Sequence, residues 1–246
     1  MTVPSVQTAS VLGLPIHLSS DYVAWLCDRI DTGQGTMVVT INAEMAVRGE
    51  EDAKLATTLK NAELVIPDGA GVVLNLKAKG YAVDRCPGIE LAEAMVAQAA
   101  HRPGWKVWMY GGSPGVSAQA AEALAQRYTG LQIAGVNHGF LDDAAIAQQQ
   151  QQLAAIQPEI ILVGLGVPRQ EYWIEQHRHL CPKALWIGVG GSFDIWSGTK
   201  DRAPEWFCKN NLEWLYRLYQ EPWRWRRMLA LPYFVWRSLL ERFRPT

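Results

Sequence analysis

The stretch Val38-Val-Thr-Ile-Asn-Ala-Glu44 is an apolar run, typical of a buried strand, that ends in polar groups at Thr40 and Asn42. A second stretch, Ile66-Pro-Asp-Gly-Ala-Gly-Val72, repeats the pattern and places Asp68 directly after its apolar residues. In open α/β sheets, ligands bind at the carboxyl ends of the strands, and the loops there carry the chemistry. The two stretches therefore predict a functional site at the carboxyl ends of a parallel sheet, with Asp68 in it.

Strand-like and helix-like segments alternate over residues 1–199. The strand pattern covers residues 11–14, 36–41, 64–66, 107–110, 131–136, 160–163 and 185–189, and helical spacing fills most of the intervals. Ser20 is the expected N-cap of the first helix, over residues 21–30, and residues 190–198 read as a glycine-rich loop. Such alternation predicts a Rossmann-like α/β fold: a mostly parallel sheet with helices on both faces.

The C-terminal part of the chain differs from the rest in composition. From Pro204 onward the strand signal disappears, and the remaining pattern is helical, with Pro222 and Pro232 as candidate breaks. We therefore expect an α/β catalytic core over residues 1–199 and a helical appendage over residues 200–246. The appendage holds ten Lys and Arg against five Asp and Glu, and five of the eleven tryptophans. A basic, aromatic tail predicts a surface for anions, a membrane interface or a partner.

Composition and charge limit the class of protein. The apolar fraction of 49% and the charged fraction of 19% are those of a globular domain, and a net charge of −1 argues against a nucleic-acid binder. The four cysteines form no C-x-x-C pair, which disfavours zinc or disulfide frameworks and favours a reducing compartment. No signal-peptide pattern opens the chain, and the longest apolar run of the tail, residues 228–236, is too short to span a bilayer. We expect a soluble or peripheral protein.

Three glycine-rich motifs each follow a predicted strand. Gly111-Gly-Ser-Pro-Gly115 could present free N–H groups of Gly111 and Gly112 to a phosphate, or form only a tight turn. In Gly164-Leu-Gly-Val-Pro-Arg-Gln-Glu171, Gly166 adds flexible backbone, and Gln170 could face a bound anion or, with Glu171, merely cap a helix. In Gly188-Val-Gly-Gly-Ser-Phe-Asp194, the carboxylate of Asp194 could bind a ribose diol or close an Asx-turn.

Asp68 itself has two interpretations. As an aspartate just before a helix it is a common N-cap, and as a carboxylate at a strand end it could be a general base. Thr40 and Asn42, at the end of a neighbouring strand, would complete a polar cluster that has no evident structural purpose. No Asp-x-Asp, metal-binding histidine spacing or G-x-S-x-G elbow occurs in the chain, so the sequence predicts neither a metal site nor a serine nucleophile.

The tail contains clustered arginines among aromatic residues. Arg224 and Arg227 are neighbours on one helical face, and Arg217 precedes them by two turns. Guanidinium groups bind diphosphates bidentately, and interleaved Trp and Tyr suit the headgroup region of a membrane. The alternative is an aromatic helical hairpin packed on the core with solvated arginines.

Together, these motifs resemble the WecG/TagA/CpsF family of bacterial glycosyltransferases. The resemblance covers residues 11–227 and rests on Thr40-Ile-Asn42, the Pro67-Asp-Gly motif, Arg85-Cys-Pro-Gly-Ile-Glu90, the three glycine-rich motifs and the tail pattern Leu212-Glu-Trp-Leu-Tyr-Arg217. Glu90 departs from the aspartate expected there, and Val167 and Arg169 stand where Ser and Lys are common.

The resemblance implies an inverting glycosyltransferase that needs neither a metal nor a cofactor. Such an enzyme moves N-acetylmannosamine or a related hexose from a UDP-sugar to a polyprenyl-diphosphate-linked sugar, at the inner face of the cytoplasmic membrane, in cell-wall or exopolysaccharide synthesis. It implies Asp68 as the base and Asp194 as a nucleoside contact. The implied substrate contacts are Thr40, Asn42, Arg85, Gln170, Arg217, Arg224 and Arg227.

A non-catalytic nucleotide-binding module that docks a membrane or protein partner through its tail is the competing interpretation. A nucleotide-dependent oxidoreductase is disfavoured, because no G-x-G-x-x-G fingerprint occurs. The sequence does not choose the donor sugar, and it leaves open whether the chain forms a homo-oligomer.

Overall fold

A computed structural model describes residues 3–242, except for the side chains of Arg224 and Arg242. The strands are β1 (Gln7–Val11), β2 (Leu14–Leu18), β3 (Thr36–Ile41), β4 (Leu64–Pro67), β5 (Lys106–Gly111), β6 (Gln132–Asn137), β7 (Ile160–Gly164) and β8 (Leu185–Gly188). The core helices are α1 (Tyr22–Asp31), α2 (Ala43–Glu51), α3 (Ala53–Asn61), α4 (Ala70–Ala78), α5 (Gly88–Ala100), α6 (Val116–Arg127), α7 (Asp143–Ile156), α8 (Arg169–His177) and α9 (Ser192–Trp196). The tail adds α10 (Glu205–Lys209), α11 (Glu213–Gln220), α12 (Trp225–Met228) and α13 (Ala230–Arg242).

The main sheet has six strands in the order β4-β3-β8-β7-β5-β6, and each neighbouring pair is parallel. Side chains alternate between two buried layers. Val39 of β3 and Trp186 of β8 face the layer formed with α2, α4 and α8, whereas Val38 and Ile187 face the layer formed with α5, α6 and α9. Burial on both faces explains why these strands read as continuous apolar runs. The predicted α/β fold with a helical appendage is confirmed.

The N-terminus forms an antiparallel hairpin, β1–β2, beside the edge strand β4. The predicted strand over residues 11–14 is wrong, because Leu12 and Gly13 adopt positive φ angles of 50° and 73° and make the turn. The ring Nδ1 of His17 accepts a hydrogen bond from the N–H of Val65 at 2.8 Å. The hairpin thereby satisfies an edge group of β4 that would otherwise be free to pair with another chain.

Local signals account for four further differences from the sequence-based elements. Asp21, not Ser20, caps α1, since its side chain accepts from the N–H of Ala24. The helical stretch after β3 is two helices, because Asp52 ends α2 and caps α3. The glycine-rich loop after β8 contains α9. Pro232 lies in the first turn of α13, where its missing N–H costs no helical bond, so it makes no break.

In the described part of the tail, the buried ring of Phe234 and several ion pairs pack against the core. Phe234 of α13 is 1% exposed and lies beside Gly71 of α4, where a Cβ atom would be 3.5 Å from its ring. The guanidinium of Arg237 pairs with Glu50 of α2, and Lys79 Nζ lies 2.8 Å from Glu241. Partly exposed pairs of this kind contribute little individually, so Phe234 is the main anchor of α13. None of the helices in the part of the chain that the structure describes is long and apolar enough to cross a membrane.

We predict that Phe234→Ala weakens the attachment of α13 and leaves the sheet intact. Truncating a buried phenylalanine costs about 3–5 kcal/mol, and this cost falls on the contact between α13 and the core. Hydrogen exchange should accelerate in α13 and remain slow in β3 and β7. Trp236→Ala is the matched control, because Trp236 lies on the same helix but is 53% exposed. Equal exchange in the two variants would contradict the assignment of Phe234 as the anchor.

Candidate active site

A cleft of about 590 Å³ lies at the carboxyl ends of the sheet strands, between the core loops and the tail. That volume is within the range of about 300–1,000 Å³ typical of small-molecule sites. Ten of the residues singled out from the sequence line it: Thr40, Asn42, Asp68, Arg85, Gly112, Gly166, Gln170, Asp194, Arg217 and Arg227. Gly111 is the last residue of β5, directly before the cleft, and the side chain of Arg224 lies outside the described part of the structure.

Asp68 reaches the cleft because the loop after β4 is pinned against the end of β3. The N–H groups of Asp68 and Gly69 both donate to the carbonyl of Ile41, at 3.0 and 3.1 Å. A Cβ atom at Gly69 would lie 2.7 Å from the Cβ of Asn42, so only glycine allows this approach. Gly69, without a side-chain bond, occupies the N-cap position of α4. The N-cap interpretation of Asp68 is therefore wrong, and its carboxylate is available for another role.

Asn42, by contrast, has a structural role that the sequence interpretation missed. Its side-chain oxygen accepts a hydrogen bond from the N–H of Met45 at 3.0 Å and caps α2. Thr40 lies against Gly88, where a Cβ atom would come within 2.6 Å of the methyl group of Thr40. Asn42 thus shapes the wall of the cleft as well as lining it.

Arg85 is the immediate partner of Asp68. Its Nη2 lies 3.2 Å from Asp68 Oδ1, and its Nε donates to the backbone carbonyl of the same residue. The side chain of Asp68 is 25% exposed. Burial raises the pKa of its carboxyl above the ordinary value, although Arg85 and Arg217 act in the opposite direction. A carboxylate with a raised pKa is a stronger base than one in water.

Glu213 of α11 joins this pair from the tail and was not singled out from the sequence. Its Oε2 lies 2.8 Å from Arg85 Nη2, and its Oε1 lies 2.5 Å from Arg217 Nη2. The residue is 4% exposed. Although burial acts in the opposite direction, Arg217 and Arg85 hold the pKa of Glu213 below its ordinary range. The spacing of Glu213 and Arg217, four residues apart on a helix, was the one signal available in the sequence.

Gln170 and Glu171 do not cap α8, so that alternative is wrong. Both are 2% exposed. Gln170 Oε1 accepts from the N–H of Gly190 at 3.0 Å, and its Nε2 donates to Glu171 Oε1 at 2.8 Å. Gln170 therefore fixes the loop after β8 and lines the cleft.

The remaining predicted residues form the other end of the cleft. The carboxylate of Asp194, in α9, lies 3.2 Å from Lys200 Nζ, which also lies 3.0 Å from Glu221. Asp194 is thus held by an ion pair, and Lys200 adds a cation that the sequence interpretation missed. The N–H of Gly112 donates to the carbonyl of Gly164 at 3.0 Å, so it is not one of the free donors expected for a phosphate. Within residues 3–242, no group of three or more His, Cys, Asp or Glu side chains is arranged to hold a metal ion.

Helix N-termini without side-chain caps surround the cleft. The N-cap residues of α4, α5 and α8 are Gly69, Pro87 and Pro168, and none of them offers a side-chain bond to the first turn. Helices α1, α3 and α7, away from the cleft, are each capped by an aspartate. Uncapped N–H groups and the positive ends of helix dipoles favour bound anions.

Comparison with known proteins identifies the family. A profile described as the Glycosyl transferase WecG/TagA/CpsF family matches residues 9–246. The chain belongs to this family. A relative from Bacillus spizizenii is 35% identical to this chain, in an alignment that covers 89% of this chain and 82% of the relative. A relative from Bacillus subtilis is 34% identical, in an alignment that covers 96% of this chain and 93% of the relative. Both are named N-acetylglucosaminyldiphosphoundecaprenol N-acetyl-beta-D-mannosaminyltransferase. The chain is a glycosyltransferase, as its motifs predict.

The structure explains two departures from the motifs of the WecG/TagA/CpsF family. Glu90, in place of an aspartate, pairs with Arg202 of the tail. Arg169, in place of a lysine, donates from Nη2 to the carbonyl of Leu165 at 2.8 Å and so supports its own loop. Neither substitution introduces a new charge beside Asp68.

We predict a pH-dependent stability effect from the buried acid behind Gln170. Burial raises the pKa of Glu171 to about 7. In the unfolded chain, the pKa of a glutamate is about 4.3. The protonated side chain therefore contributes its full stability to the fold below about pH 4.3, and this contribution is lost as the pH rises to about 7. Glu171→Gln, which keeps an acceptor for Gln170, should therefore gain about 3 kcal/mol in unfolding free energy relative to wild type between pH 4 and pH 8.

Urea denaturation of both proteins at the two pH values measures this difference. Glu122→Gln, at an exposed position of α6, controls for the loss of one negative charge. A difference between Glu171→Gln and wild type that is the same at pH 4 and pH 8 would contradict the prediction.

Proposed function

We propose that this protein is an inverting glycosyltransferase that moves N-acetylmannosamine, or a related hexose, from a UDP-sugar to a polyprenyl-diphosphate-linked sugar. The observation that carries the proposal is the carboxylate of Asp68, which lies in the cleft beside Arg85 and has no capping role. The names of the two relatives, which specify transfer of N-acetylmannosamine to a lipid-linked N-acetylglucosamine, support the choice of substrates. Such a reaction belongs to cell-wall or exopolysaccharide synthesis.

The lining of the cleft fits an acceptor with a polar head and an apolar chain. Its lining includes the polar side chains of Thr40, Asn42, Asp68 and Arg85 and the apolar side chains of Leu74, Met228, Leu231 and Val235, of which Leu74 and Val235 are exposed. Exposed apolar side chains can cover the first part of a lipid chain, while the polar side chains receive the sugar and diphosphate. This division favours an enzyme of lipid-linked sugars over a non-catalytic nucleotide-binding module.

In the proposed reaction, Asp68 takes the proton from the attacking hydroxyl of the acceptor sugar. The hydroxyl oxygen forms a bond to the anomeric carbon from the face opposite UDP, and the bond to the diphosphate oxygen breaks with inversion. The raised pKa of Asp68 suits this role, since proton transfer is most efficient when the pKa of the base approaches the working pH.

The departing diphosphate needs positive charge, which carboxylate-bound divalent metals supply in many nucleotide-sugar enzymes. We propose that Arg217, Arg227 and Lys200, with the N-termini of α4, α5 and α8, supply it here. Gly111, Gly112 and Gly166 allow the nucleotide close approach to the backbone, and Asp194 contacts the nucleoside. We propose Arg224 as a further diphosphate contact, because it matches a tail arginine of the family.

We predict that Asp68→Asn lowers kcat by about 10²–10⁴-fold, because the amide cannot accept the proton. Binding of UDP, measured by calorimetry, should stay within a few-fold of wild type. Asp84→Asn is the matched control: Asp84 is an aspartate beside Arg85 whose side chain is fully exposed, and turnover should be unchanged. Wild-type turnover in Asp68→Asn would contradict its role as the base.

We also propose that the tail places the enzyme on the inner face of the cytoplasmic membrane, where the lipid-linked acceptor is found. Exposed aromatic and aliphatic side chains are concentrated in the tail; they are Trp206, Trp214, Leu215, Tyr219, Trp223, Trp225, Leu229, Tyr233, Val235, Trp236, Leu239 and Leu240. Trp and Tyr partition to the headgroup region of a bilayer, and the neighbouring arginines attract anionic lipids.

We predict that the double variant Trp223→Ala, Trp225→Ala loses most of its binding to anionic phospholipid vesicles. The two side chains are 70% and 53% exposed, so their removal should not unfold the protein. Phe140→Ala is the control, because Phe140 is 67% exposed but lies in the loop after β6, away from the tail. Co-sedimentation that is equal for the double variant, Phe140→Ala and wild type would rule out this membrane contact.

The donor and the assembly state need separate measurements. Release of UDP from a panel of UDP-sugars, with a short-chain lipid-diphosphate acceptor present, tests both the transferase proposal and the choice of sugar. Light scattering tests whether the chain forms the homo-oligomer that the sequence leaves open.

A further inference from the structure

The carboxylate of Glu213 binds the guanidinium that also binds the base. Arg85 Nη2 lies 2.8 Å from Glu213 Oε2 but 3.2 Å from Asp68 Oδ1, so the shorter contact is with the tail residue. The side chain of Glu213 is 5% exposed and that of Arg85 is 16% exposed, whereas that of Asp68 is 25% exposed. The Arg85–Glu213 contact is thus well shielded from water, where charge interactions are strongest.

The groups around Asp68 form a balanced set of charges. Arg85 lies beside it on the core, Cys86 follows in the same loop, and Glu213 and Arg217 face it from α11. Farther out, Arg202 pairs with Glu90. With Asp68 itself, the set holds two carboxylates and two guanidiniums, whose charges sum to zero when Asp68 is ionised. Without Glu213, Asp68 would face two cations alone.

An unopposed pair of arginines would make Asp68 a poor base. An adjacent cation favours the ionised carboxylate and lowers its pKa, by about one to three units for a close pair. A nearby anion has the reverse effect, and Glu213 also draws Arg85 towards the tail. Burial is the largest cause of the raised pKa of Asp68, and the carboxylate of Glu213 adds to it while Arg85 and Arg217 act in the opposite direction.

We propose that Glu213 is a positioning residue that holds Arg85 and Arg217 and thereby keeps Asp68 basic enough to deprotonate the acceptor hydroxyl. This inference rests on the proposed role of Asp68 as the base. It assigns the tail a second task besides diphosphate contact, because Glu213 reaches Arg85 only when α11 is packed against the core. The base is therefore at full strength only in the molecule whose tail is in place.

The test is the pH dependence of kcat/KM in Glu213→Gln. On the acid side of this profile, kcat/KM falls as the base of the free enzyme becomes protonated. A weaker base therefore shifts this acid limb to lower pH and lowers the maximum value of kcat/KM. We expect the midpoint to fall by about one pH unit. Glu213→Asp keeps the charge and should return the midpoint towards wild type. Glu50→Gln, which removes a different ion-pair partner of the tail, should leave the midpoint unchanged.

NMR titration of the Asp68 carboxyl in carbon-labelled protein separates the two proposals, because it needs no substrate. A fall in the Asp68 pKa in Glu213→Gln supports the positioning role, whether or not a UDP-sugar is turned over. Absence of turnover with every UDP-sugar would instead reject the proposed function. An unchanged Asp68 pKa and acid limb in Glu213→Gln would overturn the inference. So would an equal shift in Glu50→Gln, because the cause would then be loosening of the tail in general and not the charge of Glu213.

Discussion

The ion network of Asp68, Arg85, Glu213 and Arg217 joins the loop after β4 to the tail, and the arrangement of the cleft depends on it. Arg85 bonds the backbone carbonyl and the side chain of Asp68, while Glu213 bridges Arg85 to Arg217. Burial of these charges is tolerable only because each has a partner of opposite sign. Removal of a single member would leave an uncompensated charge at the bottom of the cleft, so the network constrains the sequence of both the core and the tail.

The same network changes its charge in step with the proposed reaction. When Asp68 accepts a proton, two guanidiniums remain against the single carboxylate of Glu213, and the cluster gains one positive charge. At that moment the departing diphosphate gains negative charge within the same cleft. Transition-state stabilisation is largest when charge that develops on the substrate meets opposite charge that is already in position. In the proposed reaction, Asp68 takes up the proton, and the positive charge of Arg85 and Arg217 is then less neutralised as the diphosphate becomes more negative.

Short-range patterns made most of the fold and much of the cleft predictable from the sequence. Fully buried parallel strands such as β3 and β7 read as apolar runs with clear ends, and the polar residues after them reached the cleft as expected. The hairpin was missed because Leu12, an unusual residue for a positive φ angle, forms its turn. Glu213 was missed because its partner, Arg85, lies 128 residues away in the sequence.

At the helix N-termini around the cleft, side-chain caps that would stabilise the helices are absent where a bound anion would need the N–H groups. A side-chain cap contributes about 1 kcal/mol, and α1, α3 and α7 each have one from an aspartate. Glycine or proline takes that position in α4, α5 and α8, where an acidic cap would occupy the N–H groups and repel a diphosphate. Asn42, which caps α2 beside the cleft, is neutral, so it stabilises its helix without adding negative charge. The uncapped starts of α4, α5 and α8 at the cleft therefore fit the anionic substrate that we propose.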